Sequence, residues 1–276
     1  MTAALSLTLV LSLLAQSKDA APSSAARFLA MRELAGALTL VPALGTARAE
    51  RIAEPIYRFD DPARSFSDGT LWAFGKSGRP AALLCLSLEK ADRGGLKWIH
   101  ELTSLSTGPI AASSRHGSGP WIWNPKEAGV ALAPIPGSPA PADDEAKRFR
   151  QLRDLARRFK ASESLDPARN DPSDRYELRL LPQPVHRYAD SASGLIDGAV
   201  FLLAYGRNPE IALLIEARRE GAGESSWRYG LARIGAARLR VRLDDREVAD
   251  LPKPLDAGWK SPYFLFDRPA LGLKTD

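Results

Sequence analysis

Cysteine is almost absent from this chain, with Cys85 the single example among 276 residues. No intramolecular disulfide can form, so the staple of many small secreted domains is excluded and burial must hold the fold together. Histidine is nearly as scarce. His100, His116 and His186 each stand away from any histidine, cysteine or paired carboxylate at metal-ligand spacing, so the expectation is no metal and no cofactor. Charge of one sign is not in large excess either: 38 Lys and Arg face 33 Asp and Glu, a net +5. That mild basic bias excludes the concentrated electrostatic footprint of a sequence-specific nucleic-acid binder. Apolar runs of membrane-spanning length are also missing, and no transmembrane segment is expected in the mature chain.

The most apolar stretch, Ala3 to Ala15, has the length of a signal-peptide core, and residues 1–17 carry no charged side chain. Ala15-Gln16-Ser17 places small residues where a signal peptidase reads, which predicts cleavage before Lys18 and a protein exported to the periplasm or beyond. No cysteine follows this run, so a lipid anchor of the lipoprotein kind is not supported.

What the chain does contain is itself, twice. Laying Glu54–Leu105 over Gln183–Ile234 at an offset of 129 residues matches eleven positions without a gap, whereas chance gives roughly three or four. Matched are Pro55 with Pro184, Arg58 with Arg187, Asp61 with Asp190, Asp68-Gly69 with Asp197-Gly198, Pro80 with Pro209 and Trp98 with Trp227, among others. The Pro-rich stretch 135–142 reads as a linker, which predicts a first unit at 18–134 and a second at 143–276.

Each unit opens with a helical pattern. In the first, Phe28, Leu29, Met31, Leu34 and Leu38 recur at helical spacing after Ser23 and Ser24, with Pro42 and Gly45 ending the helix. In the second, Asp143, Asp144 and Glu145 precede a basic helix over 147–160 with a stripe of Phe149, Leu152, Leu155, Ala156 and Phe159. Short apolar runs follow in both: 70–75 and 81–88, matched by 199–205 and 211–217, then a third run from Trp98 or Trp227. A final hairpin turns at Asp244-Asp245. The runs are too closely spaced for helical crossovers, so the sheets should be antiparallel. The predicted class is α+β, two tandem units each with one helix packed on a β-meander.

Asp68-Gly69 and Asp197-Gly198 read as tight-turn residues before a strand, with Arg58 and Arg187 positioned to pair with those aspartates. Arg58, Arg187, Trp98 and Trp227 are also the candidate ligand-binding residues of a groove between the units. Trp121 and Trp123 alternate along one strand and would make a carbohydrate platform if both were exposed. Gly75-Lys76-Ser77 resembles the end of a phosphate-binding loop, but Thr70 stands where such a loop needs glycine, so nucleotide hydrolysis through it is discarded. Ser118 lacks the spacing of a nucleophile elbow. Asp60, Asp61, Asp244, Asp245 and Glu247 are scattered carboxylates that solvated turns explain, and no catalytic residue is assigned.

Tyr176-Glu-Leu-Arg-Leu-Leu-Pro-Gln-Pro-Val-His-Arg-Tyr188, Gly194-Leu-Ile-Asp-Gly-Ala199, Asn208-Pro-Glu210 and Trp227-Arg-Tyr229 resemble a family of bacterial proteins that are expected to be exported and have no assigned activity. The resemblance extends through Asp68-Gly-Thr-Leu-Trp-Ala-Phe-Gly75 into the first unit. It implies export and supplies no activity, ligand or catalytic residue. The function expected is non-catalytic: binding of an anionic or glycan ligand in the groove between units. The alternatives are an extracytoplasmic hydrolase using His100 or His116, and a binder of anionic polymer through the basic helix 147–160.

Overall fold

The computed structural model describes residues 22–42, 48–61, 66–91, 95–114, 120–165, 174–220 and 223–270. The segment 1–17, Gly45, His116 and Ser118 lie outside them. Among the described residues there are two α-helices, α1 (Ser24–Gly36) and α2 (Glu145–Ala156). The strands of the first half are β1 (Thr39–Pro42), β2 (Tyr57–Asp61), β3 (Phe66–Phe74), β4 (Ala82–Lys90), β5 (Leu96–Ser104), β6 (Ile110–Ser114), β7 (Trp121–Trp123) and β8 (Ala133–Pro134). Those of the second are β9 (Phe159–Ser164), β10 (Arg175–Leu180), β11 (His186–Asp190), β12 (Leu195–Tyr205), β13 (Asn208–Glu220), β14 (Glu224–Arg233), β15 (Arg238–Leu243), β16 (Arg246–Leu251) and β17 (Tyr263–Pro269).

The predicted α+β class, a helix on a meander in each unit, is overturned. Strands take 52% of the described residues and helix 13%, arranged as large antiparallel sheets, so the described protein is mostly β. The first sheet runs β17-β5-β4-β3-β2, a small one β1-β6-β7, and the largest β16-β15-β9-β10-β12-β13-β14-β8 with β11 on β12. The strand runs are apolar on both faces, which a sheet exposed on one side would not tolerate. Trp72, Phe74, Leu84, Leu86 and Leu88 face α1, while Leu71, Ala73, Leu83 and Cys85 face a central core shared with the other half. In the second half Phe201, Leu203, Leu213 and Ile215 face α2, and Val200, Leu202, Ala204, Ala212 and Leu214 face the centre. The layers are therefore helix, sheet, sheet, helix, with apolar side chains between each pair.

Pairing registers in the two halves agree residue by residue at the 129-residue offset. Arg58 pairs with Thr70 and Arg187 with Ala199; Gly69 with Ser87 and Gly198 with Glu216; Ala82 with Ser104 and Ile211 with Arg233. The match reaches further than the gapless sequence window: β1 lies against β6 as β9 lies against β15, and the bridges Leu40–Ala49 and Arg51–Phe74 answer to Ala161–Leu178 and Leu180–Leu203.

The last strand of each half is exchanged. β8, at the end of the first half, pairs with β14 of the second, and β17 pairs with β5 of the first. Residues 135–142 follow directly from β8: Ile135 is buried and its N–H bonds Trp227 O at 3.0 Å, so the expected linker begins inside the second sheet.

Local chemistry explains the departures from expectation. Ser23 and Asp144 cap the helices by accepting from Ala26 N and Lys147 N. α1 stops at Gly36, before the β-branched Thr39 and Val41 of β1, so Pro42 closes a strand rather than the helix. α2 ends at Ala156, and Phe159 and Lys160 belong to β9, so the basic helix is shorter than 147–160. The Asp244-Asp245 turn is observed with both residues at positive φ, 48° and 64°, as a two-residue hairpin of this hand requires.

Candidate functional site

Asp68-Gly69 and Asp197-Gly198 are not turns. Both pairs sit inside strands β3 and β12, where the glycines lie beneath aromatic rings: a Cβ on Gly69 would come 2.4 Å from the Phe59 ring and one on Gly198 2.5 Å from the Tyr188 ring. Strand alternation then sends the neighbouring aspartates toward the helix layer. Both carboxylates are buried, and each is met by two arginines.

Arg58 grips Asp68 with two bonds, Nε to Oδ1 at 3.0 Å and Nη2 to Oδ2 at 2.6 Å, and Arg27 from α1 adds Nε to Oδ2 at 3.3 Å. The hydrogen bond to Asp68 raises the Arg58 pKa, so its charge is fixed. In the second half Arg187 Nη2 reaches Asp197 at 2.7 Å and Arg148 Nε reaches it at 3.3 Å. The guanidinium of Arg58 stacks 4.9 Å over Phe28, and that of Arg187 4.9 Å over Phe149. These clusters pin each helix to its own sheet.

The four residues expected to line a common groove are placed apart. Trp98 is buried in the core beneath α1 and Trp227 in the core beneath α2. Arg187 serves the α2 cluster. Arg58 opens on a pocket of about 300 Å³, shared with Ser24, Arg27, Phe59, Asp60, Asp68 and Arg207. Arg207 comes from the β12–β13 turn of the other half; its Nη1 bonds Asp60 Oδ1 at 2.7 Å, and Tyr57 OH donates to its carbonyl at 3.1 Å. Sequence reasoning missed Arg207, because its counterpart at the 129-residue offset is Gly78 and matched positions were the guide.

Other candidates are accounted for. Trp123 is fully buried with Nε1 donating to Ser261 O at 2.7 Å, and Trp121 packs on Phe264 and Phe266, so the paired-indole platform does not form. His100 stacks 4.5 Å from Phe266, and burial pushes its pKa down to about 4, which keeps it neutral. Lys76 pairs with Glu50 at the surface. Asp244 and Asp245 hold Arg158 and Lys160 beside the hairpin, and Arg157 pairs with Asp154, so much of the basic segment is already engaged. Cys85 is buried in the central core, where desolvation raises the thiol pKa.

Two buried polar clusters had no sequence signal. At one end of the central core Glu216 accepts from Arg79, Tyr188 OH and Arg218. Burial pulls its pKa upward and is outweighed by the Arg79 bonds, leaving it below the ordinary value. At the other end Tyr263 OH lies 2.5 Å from Glu101 Oε1, and burial pushes Glu101 up to about 7. Among the described residues no group of three or more His, Cys, Asp and Glu is disposed to hold a metal ion, and no helix is long and apolar enough to cross a membrane.

No protein-family model matches this chain, and no curated protein or solved structure is significantly similar to it.

Proposed function

We propose that this chain is an exported binding or interaction protein, built by duplication of one unit, whose ligand is an anion held where the two halves meet. The observation that carries the reading is the pocket of about 300 Å³ that draws Arg58 from the first half and Arg207 from the second. That volume is at the small end of ligand sites, and its polar lining is dominated by guanidinium donors, whose fixed charge suits anion recognition. The shared register at constant offset supports duplication. The apolar run 3–15 and the resemblance to exported bacterial proteins support export.

The test is ligand-dependent stabilisation. Small anions should raise the melting temperature of the wild-type protein, because a ligand that binds the folded state alone shifts unfolding by mass action. Arg207→Ala should abolish most of that rise while leaving the unliganded far-UV spectrum unchanged, since Arg207 is largely exposed. Equal stabilisation of the variant would remove the pocket from consideration.

A further inference from the structure

The two Asp–Arg–Arg clusters are the same construction made twice, and they differ at one position in a way that points to a ligand. Helix equivalences run at an offset of 121 residues: Arg27 answers to Arg148, Phe28 to Phe149, and Ser24 to Glu145. In the second half the Glu145 carboxylate lies 3.3 Å from Arg187 Nη1, while Asp197 is held by Nη2 of the same guanidinium. In the first half Ser24 is too short to reach the equivalent place. Its hydroxyl and carbonyl instead take Arg58 Nη2, at 2.8 and 3.2 Å. Arg58 Nη1 makes no hydrogen bond among the described residues, on a side chain that lines the pocket of about 300 Å³.

We infer that the pocket takes a small carboxylate, seated on Arg58 where the carboxylate of Glu145 is seated on Arg187 in the other half. The inference rests on the binding reading above and narrows it from anions at large to planar carboxylates. The second half supplies its own occupant covalently; the first leaves the same donor to an external one. Guanidinium donors bind carboxylate and phosphate alike, and the carboxylate already seated on Arg187 in the other half is what favours the former here. Arg207, lining the same pocket, offers a second cation, so a dicarboxylate is the favoured form. Asp60 and Asp68 are the acids of this lining, each already bonded to an arginine, and they disfavour ligands of high charge density.

Glutarate is the probe, titrated into the full chain with binding followed by calorimetry and by the arginine side-chain resonances. Wild type should bind one equivalent. Ser24→Glu, which installs the second half's own occupant at an exposed position, should weaken binding at least tenfold with unchanged melting. Glu145→Ser should leave the stoichiometry at one, because Gly78 stands where a second arginine would be needed beside that half's cluster. Undiminished binding by Ser24→Glu would overturn the assignment; should Ser24→Glu fail to fold, glutarate that leaves the Arg58 side-chain resonances of the wild type unmoved would overturn it instead. Inorganic phosphate separates the two levels of argument. Phosphate binding that depends on Arg207, with none for glutarate, overturns the carboxylate and keeps the pocket, whereas binding of neither overturns both.

Discussion

Arg79 donates two hydrogen bonds to Glu216, at 2.6 and 3.0 Å, and thereby ties the β3–β4 turn of one half to the central face of the other through a carboxylate with no exposed surface. Arg79 Nη1 also reaches Leu105 O at 3.3 Å. The pair is unique to this junction, because Asn208 and Ser87 stand at the two corresponding positions.

Removing one member should therefore cost more than removing both. Arg79→Met leaves the Glu216 charge buried with Arg218 as its remaining cation, and unfolding by urea should show a loss of about 3 kcal/mol. Arg79→Met combined with Glu216→Met and Tyr188→Phe, which removes the hydroxyl that would otherwise be left buried without an acceptor, should recover most of that loss, since apolar replacements of a buried pair are often neutral. A triple variant as weak as the single one would mean that the ion pair contributes net stability.

Gly69→Ala should destabilise by roughly 1 to 3 kcal/mol, because its Cβ meets the Phe59 ring at 2.4 Å and the ring is hemmed in by the central core. Phe59→Leu in the same chain should give back part of the loss, a coupling that equilibrium unfolding of the single and double variants measures. Simple additivity would show that strand conformation, not the ring, demands glycine there.

That glycine also shows what the sequence could and could not convey. The Asp-Gly pairs were conspicuous because they recur, yet recurrence does not distinguish a turn from a strand with a ring stacked over it. The Arg58–Asp68 and Arg187–Asp197 pairings were legible, since ten residues of separation across a hairpin bring them together. Class was misread because strands apolar on both faces suggest little about how many layers cover them, and the two helices are short beside the sheets they cover. Arg207, Glu216 and Tyr263 were invisible: each gains its role from a neighbour more than 130 residues away or from the other half, with no matched counterpart to flag it.

Glu101 should make stability fall with rising pH. Its folded pKa is raised, so the folded chain keeps the proton longer than the unfolded chain; the contribution is full below 4.5 and is lost as pH climbs through about 7. Glu101→Gln keeps an acceptor for Tyr263 OH and removes the titration. The variant should match wild type in acid and exceed it above neutrality by about 2 to 3 kcal/mol. His100 works in the opposite sense: with its folded pKa depressed to about 4, its contribution is full above 6.5 and is lost as pH falls toward that value. Denaturation of both proteins across the window isolates the Glu101 part as their difference, and parallel profiles would refute it.

Cutting the chain at Gly137 should not separate the halves. Gly137 is exposed at positive φ, 64°, and a protease site placed there leaves β8 on the first fragment and its partner β14 on the second. The fragments should co-elute in size exclusion without denaturant and part in urea. Separation under native conditions would show that the exchanged strands do not hold the junction.

The exchange of β17 has a consequence for synthesis. A ribosome releases β2 through β5 first, but the strand that borders β5 emerges only after every other strand of the second half, so the first sheet keeps an unpaired edge until residues 263–269 are out. Edges of that kind recruit other strands. The nascent chain thus needs protection while β9 through β16 are being made, and a messenger truncated after the β15–β16 hairpin would yield a product prone to aggregate even though both helices and the strands of both halves up to β16 are present.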